Sequence, residues 1–217
     1  MKVTTRIALE LASHEALVRQ AYRDSVGVLT WSVGITSASG HEVERYIGNP
    51  QPLQKCLDVW LWVMEKYADD VRKAFAGTDL TEAQFGAALS FHYNTGAIKK
   101  ASWVKKWKAG DVAGAKKSFM QWRKPKEIIP RRKAERDLFF DGMWSNNGSM
   151  TEYTRVTKRG TPDWKSGKRI DVSADISAIL YRGTEPEATP PPPDYVKEPS
   201  AAPAPKKRRG WLSWFID

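Results

Sequence analysis

Three side chains near the N-terminus, Glu15, Asp24 and Thr30, have types and spacing that could serve glycoside hydrolysis. Cleavage of a glycosidic bond usually needs an acid that protonates the leaving oxygen and a second carboxylate on the other side of the sugar ring. Asp24 could face Glu15 across a cleft if the chain reverses at Gly27, and the Thr30 hydroxyl could hold a water molecule beside Asp24. The spacing alone favours a simpler interpretation, with Glu15 on an exposed helix face and Asp24 in a turn.

The elements that must position these side chains are mainly helical. Hydrophobic periodicity predicts a helix before Glu15, a long amphipathic helix along 57–71, a helix opened by a capping box at 81–84, and a last helix that ends at Gly142. Residues 24–46 hold glycines among Val, Thr, Trp and Ile, which predicts short strands joined by tight turns. We therefore expect an α+β fold, mostly helical, with a small β-lobe and an active-site cleft.

The composition of the chain predicts four segments. Residues 1–148 have the patterning of a single domain with a real core, and 41% of the whole chain is hydrophobic. Residues 149–183, with some alternation and a short helix near Ser173, form either an accessory arm on the main domain or a small lobe. Residues 184–205 are a Pro-rich linker, and residues 206–217 are a basic and aromatic tail.

The charge balance limits the partners and the cellular location. The net charge is +10 with a pI near 9.6, which favours polyanions such as nucleic acid, an acidic membrane or an anionic cell wall. The single cysteine, Cys56, excludes an intrachain disulfide and is expected to be a small core residue. The first residues lack the features of a signal peptide, and no apolar run is long enough to span a bilayer. We therefore expect synthesis in the cytoplasm without a signal peptide.

Two basic regions have an ordinary and a functional interpretation. Residues 99–136 contain fourteen Lys or Arg and three acidic residues, interleaved with tryptophans, a composition that single-stranded nucleic-acid binders also show. No RNA- or DNA-binding motif accompanies them, so no specific nucleic-acid partner is expected and a solvated helix face is the default. The tail joins KKRR to WLSWF, which suits either an interfacial membrane segment or a disordered solubilising end.

Three motifs in order resemble those of bacteriophage-type lysozymes, the endolysins. The first is Glu15, then Tyr22-Arg23-Asp24, then Thr30, which matches the family in type and spacing. The second is FHYNTGA at 91–97, and the third is the segment PRRKAE at 130–135 with a glycine beyond it. Together they cover residues 6–145, and the combination is specific although each motif alone is not.

The resemblance implies an activity and a role for each site residue. It implies hydrolysis of the β-1,4 bond between N-acetylmuramic acid and N-acetylglucosamine in peptidoglycan, and hence lysis of the host. Glu15 would be the general acid, Asp24 and Thr30 would position water or stabilise the developing positive charge, and Asn94 and Gly96 would line the cleft. A helix-ending Asn followed by its glycine explains the last pair equally well. No metal and no organic cofactor are expected, because carboxyl chemistry needs none.

The resemblance also implies partners, and it leaves alternatives open. It implies a holin that helps to release the enzyme. Apart from the resemblance, we expect a monomer, and the composition of the tail suggests contact with an anionic membrane or envelope. The other functions considered are a non-catalytic binder of cell wall or nucleic acid on the same fold, and a lytic transglycosylase or chitinase. Inversion or retention stays open, although the resemblance favours inversion.

Two departures from the family pattern affect the details of the site. Ala16 stands where a glycine is usual, and the β-turn lacks the histidine that often follows the threonine. His41 could replace the bracing role of that histidine, but a surface loop histidine is the simpler interpretation. Arg131, Arg132 and Glu135 are interpreted as residues that pack a charged helix against the domain.

Overall fold

The computed structural model describes residues 1–145 and 148–182, and the α+β prediction is confirmed there. The α-helices are α1 (Thr5–Ser13), α2 (Leu53–Ala74), α3 (Glu82–Thr95), α4 (Ser102–Lys108), α5 (Val112–Phe119), α6 (Ile129–Asp141) and α7 (Ser173–Arg182). The strands are β1 (Ala16–Arg23), β2 (Leu29–Ser32), β3 (Ile35–Thr36), β4 (Ser149–Tyr153) and β5 (Gly167–Asp171).

Helix α3 forms the centre of the helical part. Its residues 85–94 are all buried, including the polar Ser90, His92 and Asn94, and α1, α2 and α6 pack around it. The predicted capping box is confirmed, because the Thr81 side chain accepts from the Gln84 N–H and the Gln84 side chain accepts from the Thr81 N–H. At the other end, Gly96 adopts the left-handed conformation, with φ 63°, and closes the helix.

Helix α2 supplies the long apolar stripe that the sequence predicts. Leu57, Trp60, Met64 and Val71 are all fully buried along one side of the helix. Cys56 is also fully buried in this core, which confirms its predicted place. Burial raises the pKa of its thiol to about 12, so the sulfur stays protonated and unreactive at neutral pH.

The five strands form one mixed sheet, in the order β3-β2-β1-β4-β5. β1 pairs antiparallel with β2 and parallel with β4, so it is the central strand. Its register with β2 shifts between Val18 and Tyr22, which marks a bulge in the middle of the strand. The N-terminal residues of β1, Ala16 and Leu17, pair with β4, and its C-terminal residues, Tyr22 and Arg23, pair with β2.

The sequence placed the first strand too late. The strand-like region was predicted from residue 24, whereas α1 ends at Ser13 and residues 16–23 already form β1. Both faces of this strand are buried, since Leu17 and Ala21 enter the main core while Ala16 and Val18 face a second apolar cluster. A strand buried on both faces lacks the apolar-polar alternation by which sequence analysis recognises strands.

The segment after residue 148 joins the main sheet. β4 pairs with β1, β5 forms an antiparallel hairpin with β4, and α7 packs on α1 and α2. The predicted short helix near Ser173 is confirmed as α7. The division at residue 148 stays a prediction, and the linker at 184–205 and the tail at 206–217 lie outside the described residues.

In the described ranges, none of the helices has both the length and the apolar character needed to cross a membrane.

Candidate active site

Glu15 lies at the junction between α1 and β1. The backbone leaves α1 through a turn in which the N–H groups of His14 and Glu15 donate to carbonyls of the last helical turn. The Glu15 residue is only 5% exposed, and Arg131 Nη1 donates to its Oε1 at 2.6 Å. The described part of the chain supplies no hydrogen bond to the other carboxyl oxygen, Oε2. Glu15 is therefore a buried carboxyl that is hydrogen-bonded at one oxygen. The simpler interpretation, which placed it on an exposed helix face, is wrong.

Asp24 and Thr30 share the turn between β1 and β2. Asp24 Oδ1 accepts from the N–H groups of Val26 at 3.0 Å and Val28 at 2.8 Å, which shapes the turn around Gly27. Thr30 is buried opposite Tyr22 in the β1–β2 ladder, and its hydroxyl donates to the Val28 carbonyl at 3.1 Å. The structure thus brings Asp24 and Thr30 together, with Glu15 at the opposite end of β1.

A buried ionic cluster lies behind Glu15. Arg131 Nε donates to Glu135 Oε1 at 2.9 Å, and Arg132 Nη1 donates to Glu135 Oε2. Ser90 from α3 also donates its hydroxyl to Glu135, at 2.6 Å. With Glu15 ionised, the cluster holds two guanidinium groups and two carboxylates, so its charges balance.

The charges in this cluster are stabilised mutually. Burial alone would raise the pKa of the Glu135 carboxyl, but Arg132 and Arg131 outweigh it and hold that pKa below its usual value. Burial alone would lower the pKa of Arg131, but Glu15 and Glu135 outweigh it and raise that pKa. Glu135 and Arg131 therefore remain ionised at neutral pH although both are almost fully buried.

The two predicted cleft residues occupy the end of α3. Asn94 is 7% exposed, and its Oδ1 accepts from Arg132 Nη2 at 2.6 Å, which ties it to the ionic cluster. Gly96 is the left-handed residue that ends the helix. Their contact with a glycan stays a prediction.

Ala16 has a clear packing role. Its methyl group belongs to a second apolar cluster between β1 and the C-terminal segment, which has four buried members and two partly buried ones: Ala16, Val18, Tyr22, Tyr153, Val156 and Trp164. The residue after Glu15 is thus packed against a part of the chain that begins beyond residue 148. A side chain at this position gives β1 an apolar contact that glycine would lack.

His41 lies in the core of the β-lobe, so its interpretation as a surface loop residue was wrong. The ring is 6% exposed, stacks on Trp31 and forms a hydrogen bond of 2.9 Å with the Tyr46 hydroxyl. Burial, followed by the nearby charges of Arg45 and Lys55, lowers the pKa of His41 to about 4. The imidazole is therefore neutral at physiological pH and braces the loop after β3.

Arg131 is the site residue whose role the sequence did not reveal. The RR-x-x-E pattern on α6 suggested a packing function, but the guanidinium also binds Glu15 and the Ser90 carbonyl. The sequence feature that could have indicated this role was an arginine pair followed by an acidic residue, on a helix with many other charges. Such a pattern cannot show which distant carboxyl an arginine meets.

Comparison with known proteins gives a consistent result. The family model described as phage lysozyme matches residues 12–135. The endolysin of Bacillus phage B103 is 31% identical over 129 residues, which cover 56% of this chain and 48% of that protein. The SAR-endolysin of Escherichia phage Mu is 31% identical over 134 residues, which cover 56% of this chain and 71% of that protein. The chain thus spans about half the length of the Bacillus phage relative.

Solved structures show the same fold. The endolysin from Escherichia coli O157:H7 phage FAHEc1 superposes with a TM-score of 0.60 at 24% identity, over 67% of this chain and 98% of that one. A mutant P22 lysozyme gives a TM-score of 0.54 at 24% identity, over 64% and 98% of the two chains.

Proposed function

Because the chain belongs to the phage lysozyme family, we propose that it is an endolysin that hydrolyses the β-1,4 bond between N-acetylmuramic acid and N-acetylglucosamine in bacterial peptidoglycan. The observation that supports this most is the pair of acids at the two ends of β1, with Thr30 on the adjacent strand. One chain supplies all three groups, so the proposed enzyme acts as a monomer.

In this proposal Glu15 is the general acid. Arg131 binds Oε1 and fixes the rotamer of the side chain, which leaves Oε2 to carry the proton. After Glu15 gives its proton to the glycosidic oxygen, its carboxylate lies against the Arg131 guanidinium, which binds the charge formed by the transfer.

Asp24 and Thr30 act on the other side of the scissile bond. The Asp24 carboxylate stabilises the positive charge that develops on the sugar ring, and the Thr30 hydroxyl holds the attacking water beside it. As the water adds to the sugar ring, its proton passes to Asp24. The N–H groups of Val26 and Val28 bind Asp24 Oδ1, so this oxygen is held in place while Oδ2 is available to the substrate or water.

Product analysis tests the reaction. We expect purified peptidoglycan to be cleared by the protein and to yield fragments with a reducing N-acetylmuramic acid end. A lytic transglycosylase would leave a 1,6-anhydro sugar, and mass spectrometry separates the two products. Anhydro products would show that the protein is a lytic transglycosylase and not a hydrolase. Binding without cleavage would favour a non-catalytic protein.

We further propose that the enzyme is made in the host cytoplasm and reaches the peptidoglycan after a holin opens the inner membrane. Expression of the chain alone in a bacterium should give little lysis, and addition of a membrane-permeabilising agent should cause rapid lysis. The same treatment of cells expressing Glu15→Gln is the control. Lysis without the agent, with processed protein outside the membrane, would contradict the proposal.

The tail at residues 206–217 is proposed to bind anionic envelope surfaces without taking part in catalysis. The motivation is the sequence KKRR before WLSWF at the end of a Pro-rich spacer. Each Lys or Arg near an anionic membrane contributes about 1 kcal/mol, and salt screens exposed charges within about 8 Å. Removal of residues 206–217 should therefore weaken co-sedimentation with anionic liposomes at low salt and leave hydrolysis of soluble peptidoglycan fragments unchanged.

A charge variant separates the contribution of the basic residues of the tail from that of its aromatic residues. Replacement of all four basic residues by glutamine keeps the aromatic residues and removes the electrostatic attraction. Equal liposome binding by the full chain and the truncated chain would refute the membrane role. Loss of hydrolysis in the truncated chain, with the fold intact, would place the tail in the catalytic unit.

A further inference from the structure

A basic turn from the C-terminal segment lies beside the turn that holds Asp24. Residues 157–161, here called the cationic turn, connect the segment after β4 with the short helical turn before β5. The Arg23 N–H donates to the Gly160 carbonyl at 2.6 Å, and Arg23 directly precedes Asp24. The cationic turn is thus attached to the last residue of β1, within one residue of a candidate catalytic carboxylate.

The cationic turn has a defined conformation of its own. The Thr157 N–H donates to the Thr161 carbonyl at 2.7 Å, and the Gly160 N–H donates to the Thr157 carbonyl at 2.9 Å. Val156 and Pro162 form a β-bridge at its base. Gly160 has φ 80°, a conformation that glycine adopts without strain. Because the base is bridged and the tip is bonded to β1, the turn is held against the site.

The charges on this turn lack acidic partners within the described residues. Lys158 and Arg159 are exposed, and no salt bridge is formed by either in that part of the chain. The neighbouring Arg155 differs, since Asp163 binds its guanidinium at 2.9 Å. Within residues 1–145 and 148–182, Arg23 forms no salt bridge, and its Nη1 donates to the Gly27 carbonyl at 3.0 Å. Three uncompensated cations, from Arg23, Lys158 and Arg159, therefore flank one end of the candidate site.

Asp24 does not neutralise these cations in the structure. Its Oδ1 accepts from the backbone of its own turn, as described above. A substrate that consisted of neutral sugars alone would have no use for three cations here. Peptidoglycan also carries peptides on the lactyl group of N-acetylmuramic acid, and those peptides bear free carboxylates, which guanidinium and ammonium groups recognise.

We propose that Lys158 and Arg159, with Arg23, form a subsite for the carboxylates of the peptide on the glycan strand, adjacent to Asp24. This proposal rests on the proposed function and deepens it, because it assigns part of substrate recognition to residues beyond the 12–135 region that the family model matches. The subsite favours strands that carry peptides over bare strands.

A binding measurement tests the proposal independently of catalysis. In a Glu15→Gln background, binding is measured for soluble peptide-bearing glycan strands and for the same strands after enzymatic removal of the peptides. Lys158→Gln with Arg159→Gln should weaken binding to the peptide-bearing strands by on the order of tenfold at low salt and leave binding to the bare strands unchanged. The loss should shrink as salt is raised, because the charges are exposed.

The matched control removes the same charge elsewhere. Lys100 and Lys117 are exposed, and within the described ranges they form no salt bridge, so Lys100→Gln with Lys117→Gln changes the net charge equally. This control should bind both kinds of strand like the parent protein. The proposal is overturned if the control loses as much affinity, if the turn variant loses affinity equally for both strands, or if it loses none. Hydrolysis by the wild type is measured separately, and its absence would contradict the proposed function instead.

Discussion

Replacement of Glu15 by glutamine should lower the rate of peptidoglycan cleavage by about 10²–10⁴-fold, because general acid catalysis contributes an effect of that size. The amide has nearly the same shape as the carboxyl but cannot donate an acidic proton to the leaving oxygen. Its Oε1 can still accept from Arg131, so the ionic cluster keeps its contact with residue 15. The rate is measured as clearing of purified peptidoglycan and as release of reducing ends.

The control for this variant is Glu127→Gln, which makes the same chemical change at an exposed position. It should clear peptidoglycan at the wild-type rate. Both variants should give native circular dichroism spectra, which separates loss of chemistry from loss of structure. An unchanged rate for a folded Glu15→Gln protein would remove Glu15 from the catalytic role.

The second large effect is expected for Glu135→Gln, which should lower the free energy of unfolding by about 3–5 kcal/mol. Removal of one partner from a buried ionic cluster leaves an uncompensated buried charge, and changes of this kind have costs of that size. The amide would also direct two N–H donors toward guanidinium groups that now find two carboxylate oxygens. For a chain of this length the midpoint of thermal unfolding should fall by about 6–20 °C.

The pH dependence gives this prediction a second readout. Because the two arginines hold the pKa of Glu135 below its unfolded value of about 4.3, the unfolded chain binds the proton first as the pH falls. The stabilisation is therefore complete above that value and is lost as the pH falls through the folded pKa. The difference in unfolding free energy between wild type and Glu135→Gln should be large at pH 7 and should shrink below about pH 4. A difference that does not depend on pH would contradict the ionic origin, and Glu127→Gln should show little difference at any pH.

The parts of the fold that were predictable depend on short-range chemistry. The capping box at Thr81, the glycine that ends α6 and the apolar side of α2 follow from residues within a few positions of one another. The turn at Asp24 is of the same kind, since an aspartate that accepts from N–H groups two and four residues ahead requires only a local sequence.

The parts that were missed depend on distant contacts. β1 is a strand because β2 and β4 satisfy its backbone and because residues beyond 148 bury one of its faces. The role of Arg131 depends on a contact with Glu15, more than a hundred positions earlier in the chain. Neither partner is visible in a window of ten or twenty residues, so periodicity and motif spacing could not identify them.

The parallel pairing of β1 with β4 has a consequence for the order in which the protein acquires its structure during synthesis. Ala16 pairs with Thr151, so one edge of β1 stays open until almost all of the described chain has left the ribosome. At about 5–20 residues per second, that wait is on the order of ten seconds or more. Closure of such a long loop also slows folding, because its entropy must be lost before the contacts form. We therefore expect nascent and prematurely terminated chains that lack β4 to hold Glu15 and Asp24 on an incomplete sheet, so that lytic activity requires synthesis of residues 149–153.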